Sequence, residues 1–561
     1  VSRDDAGTTV DDGPDEPRDG GVRRGAALMA SGTAVSRVLG LLRGMVLVGA
    51  VGATGQAADA FAVANKLPNI LYLTLAGGLL NAVLVPQVVR AFKRGGGREY
   101  VDRLLTLGFA ALAVVAVGLT LAAPLLVDLY TDPGDPARRD LAVAFAWWCI
   151  PQLFFYGVYA LLGQVLNARG SFGPYMWAPV VNNVVALVGF GVFIAAFGPA
   201  EGSGLVRAEA WTPAAVTTLG ATATLGVVAQ ALVLLPALRR AGIRYRPRLG
   251  LRGSGLGRAG ATSTWTFVGL LVGQVGYLVV SRVATEATAG RTQGVAGVFA
   301  YDQAFLVFML PHSLVTVSLA TALFTRLSGQ AHDGDVAGVR ATLSLGLRTV
   351  GLFTVPATAL LVVLAEPVTR LILISAPPGD AEVVARVVVA MLVGLPFFGA
   401  WSLCQRVYYA DEDARGLIPT QVAMAAVVGV GTLLGRAFLP REDWVVGAGV
   451  AMSVSYALGT VVSLVRLHRR LGGVDAFHVV RTHVRVTIGA LVAAGAGAAA
   501  LAGLHRVVEP ASPLGALLAC VVVGALMGGL YVAVLRLLHV RELDTLAGPA
   551  LRAVSRVLRR R

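Results

Sequence analysis

Leu104–Leu126 reads LLTLGFAALAVVAVGLTLAAPLL, a run without one charged side chain. At 1.5 Å per residue it makes a helix of about 35 Å, enough to cross the roughly 30 Å hydrocarbon core of a bilayer. It shows none of the period-2 alternation of an outer-membrane strand, so a helix is the expected element. Comparable runs recur along nearly the whole chain, at 26–52, 58–92, 101–131, 139–167, 173–198, 211–238, 259–288, 294–327, 338–365, 381–409, 417–438, 444–467, 481–505 and 511–538. The fold class read from them is an all-α polytopic membrane protein with about fourteen transmembrane helices, several long enough to need tilt. Composition agrees: 56% of the 561 residues are hydrophobic and 14% charged, against about a quarter charged in soluble proteins.

The net charge of +15 would suit nucleic acid, but its distribution does not. Arginines gather between apolar runs, as in cytoplasmic loops. One side carries Arg90, Arg98 and Arg103, then the run from Arg239 to Arg258, then Arg466, Arg469 and Arg470, and finally Arg552 to Arg561. The other carries Asp128, Asp132, Glu201, Glu286, Asp380, Glu442 and Glu509 with few bases. Both termini are therefore expected in the cytoplasm. The division expected is a disordered tail (1–25), a six-helix lobe (26–238), a basic linker (239–258), a second six-helix lobe (259–470), two further helices (471–540) and a basic tail (541–561). Cys149, Cys404 and Cys520 lie far apart, without disulfide or metal spacing. A faint echo links FAVANKLPNILYL from Phe61 with FAYDQAFLVFMLP from Phe299, as in transporters built from repeats.

The informative residues are those that resist burial in lipid, where a mid-membrane charge costs roughly 2.5–3.5 kcal/mol on insertion scales. Thr33, Ser36, Arg37, Gly40, Arg43 and Gly44 recur at helical spacing and are expected along one interior face. A guanidinium stays charged and grips phosphate bidentately. An arginine near a helix end could instead reach the headgroups. Asp59, Lys66 and Asn69 share a face of the second span, beside Pro68. An ion pair of Asp59 with Arg43 or Lys66 is as good a reading there as contact with a substrate. Asp302 and Gln303 occupy a similar place in the eighth span, with Asp302 a candidate counter-charge to an arginine. Asn182 and Asn183 suit hydrogen bonds between helices, and Arg282 should reach the interface. No HExxH, GxSxG or P-loop pattern is present, so no enzyme, metal or cofactor is called for.

SRVLGLLRG (Ser36–Gly44) followed by DAFAVANKLPN (Asp59–Asn69) closely resembles the start of the MurJ (MviN) lipid II flippases. These belong to the multidrug, oligosaccharidyl-lipid and polysaccharide exporter superfamily. LNARGSFGPYMWAPVVNN (Leu166–Asn183), FAYDQ from Phe299 and YYADEDARGLIP (Tyr408–Pro419) also look like family positions, so the likeness spans nearly the whole chain. The resemblance implies helices split six, six and two, around a cationic central cavity that alternates its opening. It implies transport of an undecaprenyl-diphosphate-linked peptidoglycan precursor to the outer leaflet, with Ser36, Arg37, Arg43, Lys66 and Asn69 toward the substrate. Asp59, Asp302, Gln303 and Asn182 would be structural or gating groups. The partners implied are that lipid, bulk membrane lipids and proteins of wall synthesis and division. The chain departs from the family where Leu73, Gly77, Gln303 and Gly44 stand in place of charged residues. Export of another polysaccharide-linked lipid, or a scaffold role in wall synthesis, are the alternatives.

Overall fold

A computed structural model describes residues 19–75, 97–169, 171–243, 245–248, 260–291, 294–509, 512–540 and 542. Those residues form helices and connecting turns, with no strand among them. In chain order the main elements of the first half are α1 (Asp19–Val51), α2 (Gln56–Leu75), α3 (Gly97–Leu121), α4 (Ala123–Tyr130), α5 (Pro136–Cys149), α6 (Gln152–Ala168), α7 (Gly173–Phe197), α8 (Pro213–Leu232) and α9 (Leu234–Arg240). Then come α10 (Gly260–Ala287), α11 (Val298–Pro311), α12 (Val317–His332), α13 (Val336–Val363), α14 (Ala365–Ile372), α15 (Pro378–Leu392), α16 (Leu395–Ala410), α17 (Ala414–Phe438), α18 (Trp444–Leu471), α19 (Ala476–Leu504) and α20 (Pro513–Leu537).

Among the described residues, twelve spans are long and apolar enough to cross a membrane, and the α15–α16 pair, bent by 46°, makes a thirteenth. The second expected span falls short of that test as described. Asp59, Asn65, Lys66 and Asn69 make α2 the polar helix of the set, and residues 76–92 of that span, Gly77 included, lie outside the described residues. The helix α1 reaches back to Asp19, so residues 19–25 extend it instead of joining a disordered tail. Residues 1–18, 244, 249–258, 541 and 543–561 of the expected tails and linker also lie outside the described residues.

Local sequence sets the helix starts. Asp135, Thr212, Asp335, Asp413 and Ser512 each accept a backbone N–H of the helix they precede, which meets one of the donors a helix start leaves unpaired. Pro311 removes a backbone donor, and the chain passes into a π-turn at His312–Thr316 before α12.

The helices assemble into two lobes and an appendage. In the first lobe α1 and α8 pack along α7, and α2 packs on α5. In the second, α17 packs on α10 and α18, and α16 on α13 and α18. The pair α19–α20 lies against α13 and α14. At the end bearing the α1–α2 connection, one apolar core runs through both lobes, joining Phe61, Phe145 and Phe193 to Phe299, Val387 and Met391. At the opposite end each lobe keeps its own core, around Leu105, Leu166 and Leu234 in the first and Leu343, Cys404 and Leu467 in the second. Burial therefore holds the lobes together at one end and leaves them separable at the other.

Candidate functional site

A cavity of about 840 Å³ lies between the lobes, lined by α1, α2 and α6 on one side and α10, α11, α16, α17 and α18 on the other. It starts at Phe61 and Phe299, against the shared core, and extends along α2 to Leu73.

The first lobe supplies its cations. Arg43 lines the cavity, half-buried, with no carboxylate or hydrogen-bond partner among the described residues. Tyr156 is a neighbour in the wall. An unpaired guanidinium sheltered from bulk water is costly unless an anion visits it. Lys66 projects into the same space and pairs with Asp302 of the second lobe. Its ammonium also sits 4.0 Å from the ring centroid of Tyr277, a cation–π contact, while the Tyr277 hydroxyl lies 3.5 Å from Asp302 Oδ1. Asn65 and Asn69 complete this wall.

The helical stripe expected on α1 divides. Ser36 accepts Asn183 Nδ2 at its carbonyl (2.9 Å) and hydroxyl (3.3 Å), which ties α1 to α7. Arg37 is exposed and crosses to the second lobe, where its Nη1 donates to Ser313 Oγ at 3.0 Å and its Nη2 to the Ser313 carbonyl at 3.3 Å. Six residues on a helix turn a side chain by about 240°, so Arg37 and Arg43 point differently, and only Arg43 reaches the cavity wall. Asn182 donates to Gln230 Oε1 at 2.8 Å inside the first lobe. Gln303, Leu73 and Asp302 all line the cavity, so two departures from the charged family pattern fall on its wall.

Asp59 pairs with neither Arg43 nor Lys66. Fully buried, it crosses to the second lobe and accepts Thr288 Oγ1 at 2.7 Å and the backbone N–H of Phe299 at 2.9 Å. Its position at the first turn of α2, seven residues or about 10 Å from Lys66, places it in the shared core instead. There it acts as the N-terminal cap of α11, whose own cap residue, Gly297, has no side chain to offer. A Cβ at Gly297 would run into the Asp59 carboxylate. Asp302, likewise, answers a lysine and not an arginine.

The sequence reading missed Arg138. It is fully buried and donates to the Thr285 carbonyl and, at 3.3 Å, to Thr288 Oγ1 and the Asp132 carbonyl. Asp132 N–H to Thr285 Oγ1 (2.9 Å), Ser281 Oγ to the Tyr130 carbonyl (2.8 Å) and Arg282 to the Asp128 carbonyl (3.2 Å) join the lobes at the same end. Arg282 thus meets the other lobe and not only the interface. The signal available was DPGDPARRD, an Asp–Pro helix start with an arginine inside its first turn. Its partner in the other lobe could not be read.

Two lobes closed over one end of a cavity between them, on helices long enough to span a bilayer, define a polytopic membrane transporter. Residues 49–523 match the family described as lipid II flippase MurJ. The chain belongs to that family. It is 26% identical over 471 residues to a probable lipid II flippase MurJ of Vibrio cholerae, covering 82% of this chain and 84% of that one. It is 28% identical over 459 residues to the lipid II flippase MurJ of Burkholderia cenocepacia, covering 79% and 84%. Among solved structures it resembles a lipid II flippase MurJ in an inward closed conformation, with TM-score 0.67, 17% identity and coverage of 91% and 99%. It also resembles an inward-facing multidrug resistance MATE family transporter, with TM-score 0.60, 14% identity and coverage of 80% and 98%.

Proposed function

We propose that this protein moves lipid II, the diphosphate-linked peptidoglycan precursor, from the cytoplasmic to the outer leaflet by alternating access. The observation that carries the reading is Arg43, an unpaired guanidinium on the wall of an inter-lobe cavity, with Lys66 beside it. Those two cations hold the diphosphate, Asn69 adds a neutral polar group, and the polyprenyl tail stays in lipid. Arg37 and Ser36 support the α1 side, Arg37 by bridging to Ser313.

The basic loops support a cytoplasmic position for residues 90–103, 239–258 and 466–470 and for both termini. The shared core and the bonds that Asp59 and Arg138 each make to Thr288 then close the outer face, and the separate cores lie inside. The lobes are taken as 26–238 and 259–470, with 471–540 as an appendage. The process is translocation, with no bond of the lipid made or broken. Depletion of the protein in its bacterial membrane, followed by measurement of lipid II in each leaflet, tests this. Accumulation in the cytoplasmic leaflet is expected; an unchanged distribution refutes it.

A further inference from the structure

The two walls of the cavity differ in kind. The cations stand on the first lobe, at Arg43 and Lys66; besides the buried Gln303 of α11, the second lobe offers three more neutral amides, Gln274 of α10, Gln405 of α16 and Gln421 of α17. All three are half-buried, and none has a hydrogen-bond partner among the described residues. A primary amide lining a cavity offers two donors and an acceptor to whatever fills it. Three such groups converging on one cavity from three helices are more than packing needs.

Room for a ligand is built into the same wall. Gly269, Gly273 and Gly276 recur along α10 at helical spacing and line the cavity. A Cβ at Gly269 would press on Gln421, so the glycine leaves that amide its place; at Gly273 a Cβ would meet nothing within 4 Å. Trp401 and Tyr456 also line this wall, Trp401 buried in the lobe's core and Tyr456 packed on Phe308 and Phe398. The one carboxylate among the described residues of this wall, Asp302, is engaged by Lys66. Arg406, next to Gln405, is turned onto the Phe324 ring at 5.6 Å.

We infer that Gln274, Gln405 and Gln421 form a second subsite, for the N-acetylated sugar portion of the substrate headgroup. Hydroxyl and acetamido groups are neutral and both donate and accept, as the amides do. The carboxylates of a peptide stem would find no cation on this wall among the described residues. The anion is thus gripped by one lobe and the sugar by the other, so a complete headgroup bridges both. This inference rests on the flippase reading and adds how the headgroup is told from a bare diphosphate.

The test is binding by the purified full chain in lipid nanodiscs, with undecaprenyl diphosphate and lipid II as the two probes. Gln274→Met, Gln405→Met and Gln421→Met keep side-chain length and remove the amide. Each is expected to weaken lipid II by about five- to tenfold, as for a lost hydrogen bond. Undecaprenyl diphosphate should stay within about twofold on the same scale, which also reports that each variant is folded. Equal losses for both probes, or none for either, overturn the inference. So does an unsubstituted chain that holds both probes equally. A chain that binds neither overturns the flippase reading, and the subsite with it.

Discussion

Replacing Asp59 by Ala should open the end of the molecule where the lobes share their core. The magnitude follows from what the carboxylate serves. Its loss strands the Phe299 N–H, since Gly297 supplies no substitute cap, at about 1–3 kcal/mol for an unsatisfied buried donor. Thr288 suffers less, because its hydroxyl also reaches the Thr285 carbonyl at 3.1 Å. Removing an anion from the α11 N-terminus costs about 0.3–1 kcal/mol more. Together these weaken the closed state by about 1–4 kcal/mol, or roughly 10- to 1,000-fold in its population ratio. The assay is labelling of Ser281→Cys by a membrane-impermeant maleimide, in a background carrying Cys520→Ser. Ser281 is buried between the lobes at that end, so its labelling rate follows the open population when opening is fast. Asp59→Ala should raise that rate at least tenfold, the lower bound allowing for water entering the vacated space. Gly297→Ala, which drives a methyl into the same carboxylate, should act in the same direction. Labelling unchanged in both variants would refute the idea that this cap holds the lobes shut.

Lys66→Met should lower the melting temperature in detergent more than the Lys66→Met/Asp302→Asn double variant, since the single change leaves a half-buried carboxylate uncompensated; both should lose transport. Arg43→Gln should reduce undecaprenyl diphosphate affinity by about tenfold or more without lowering the melting temperature, because no carboxylate relies on it among the described residues. Asp475, in the turn before α19, is held below the usual carboxylate range by the Ser344 hydroxyl at 2.7 Å and by His478 at 2.6 Å. A depressed carboxylate stabilises the fold above its unfolded value, near 3.9, and loses that effect as pH falls through its lower folded value. Asp475→Asn should therefore destabilise at neutral pH and converge with the parent protein in melts taken below about pH 4.

The bilayer made much of this fold legible. Apolar runs of bilayer length point to spans, and the cost of Arg43 and Lys66 in lipid pointed them to the interior, with the headgroups as the alternative for an arginine near a helix end. Periodicity along one helix says which residues share a face, though not which neighbour that face meets. Hence Ser36 and Arg37, read as one stripe with Arg43, separate onto α7 and the second lobe. Asp59 was legible as costly, but its role as a cap for α11 depends on a helix some 240 residues away. Arg138 hid because a charge beside a loop ordinarily stays in water. The glutamines carry no charge to draw notice, and only their convergence from three helices gives them meaning.

The pairing of Lys66 with Asp302 also fixes what a membrane voltage can act upon. Of the charges among the described residues of the cavity wall, that pair cancels and Arg43 is left over, so the empty site, counted on those residues, is cationic by one. A diphosphate diester brings one ionised oxygen on each phosphate, which makes the loaded site anionic by one. On the flippase reading, an inside-negative potential pushes the loaded site outward and draws the empty one back. Each passage gains up to about 2.3 kcal/mol per 100 mV if its charge crosses the whole field. One lysine–aspartate pair thus lets voltage favour both halves of the cycle.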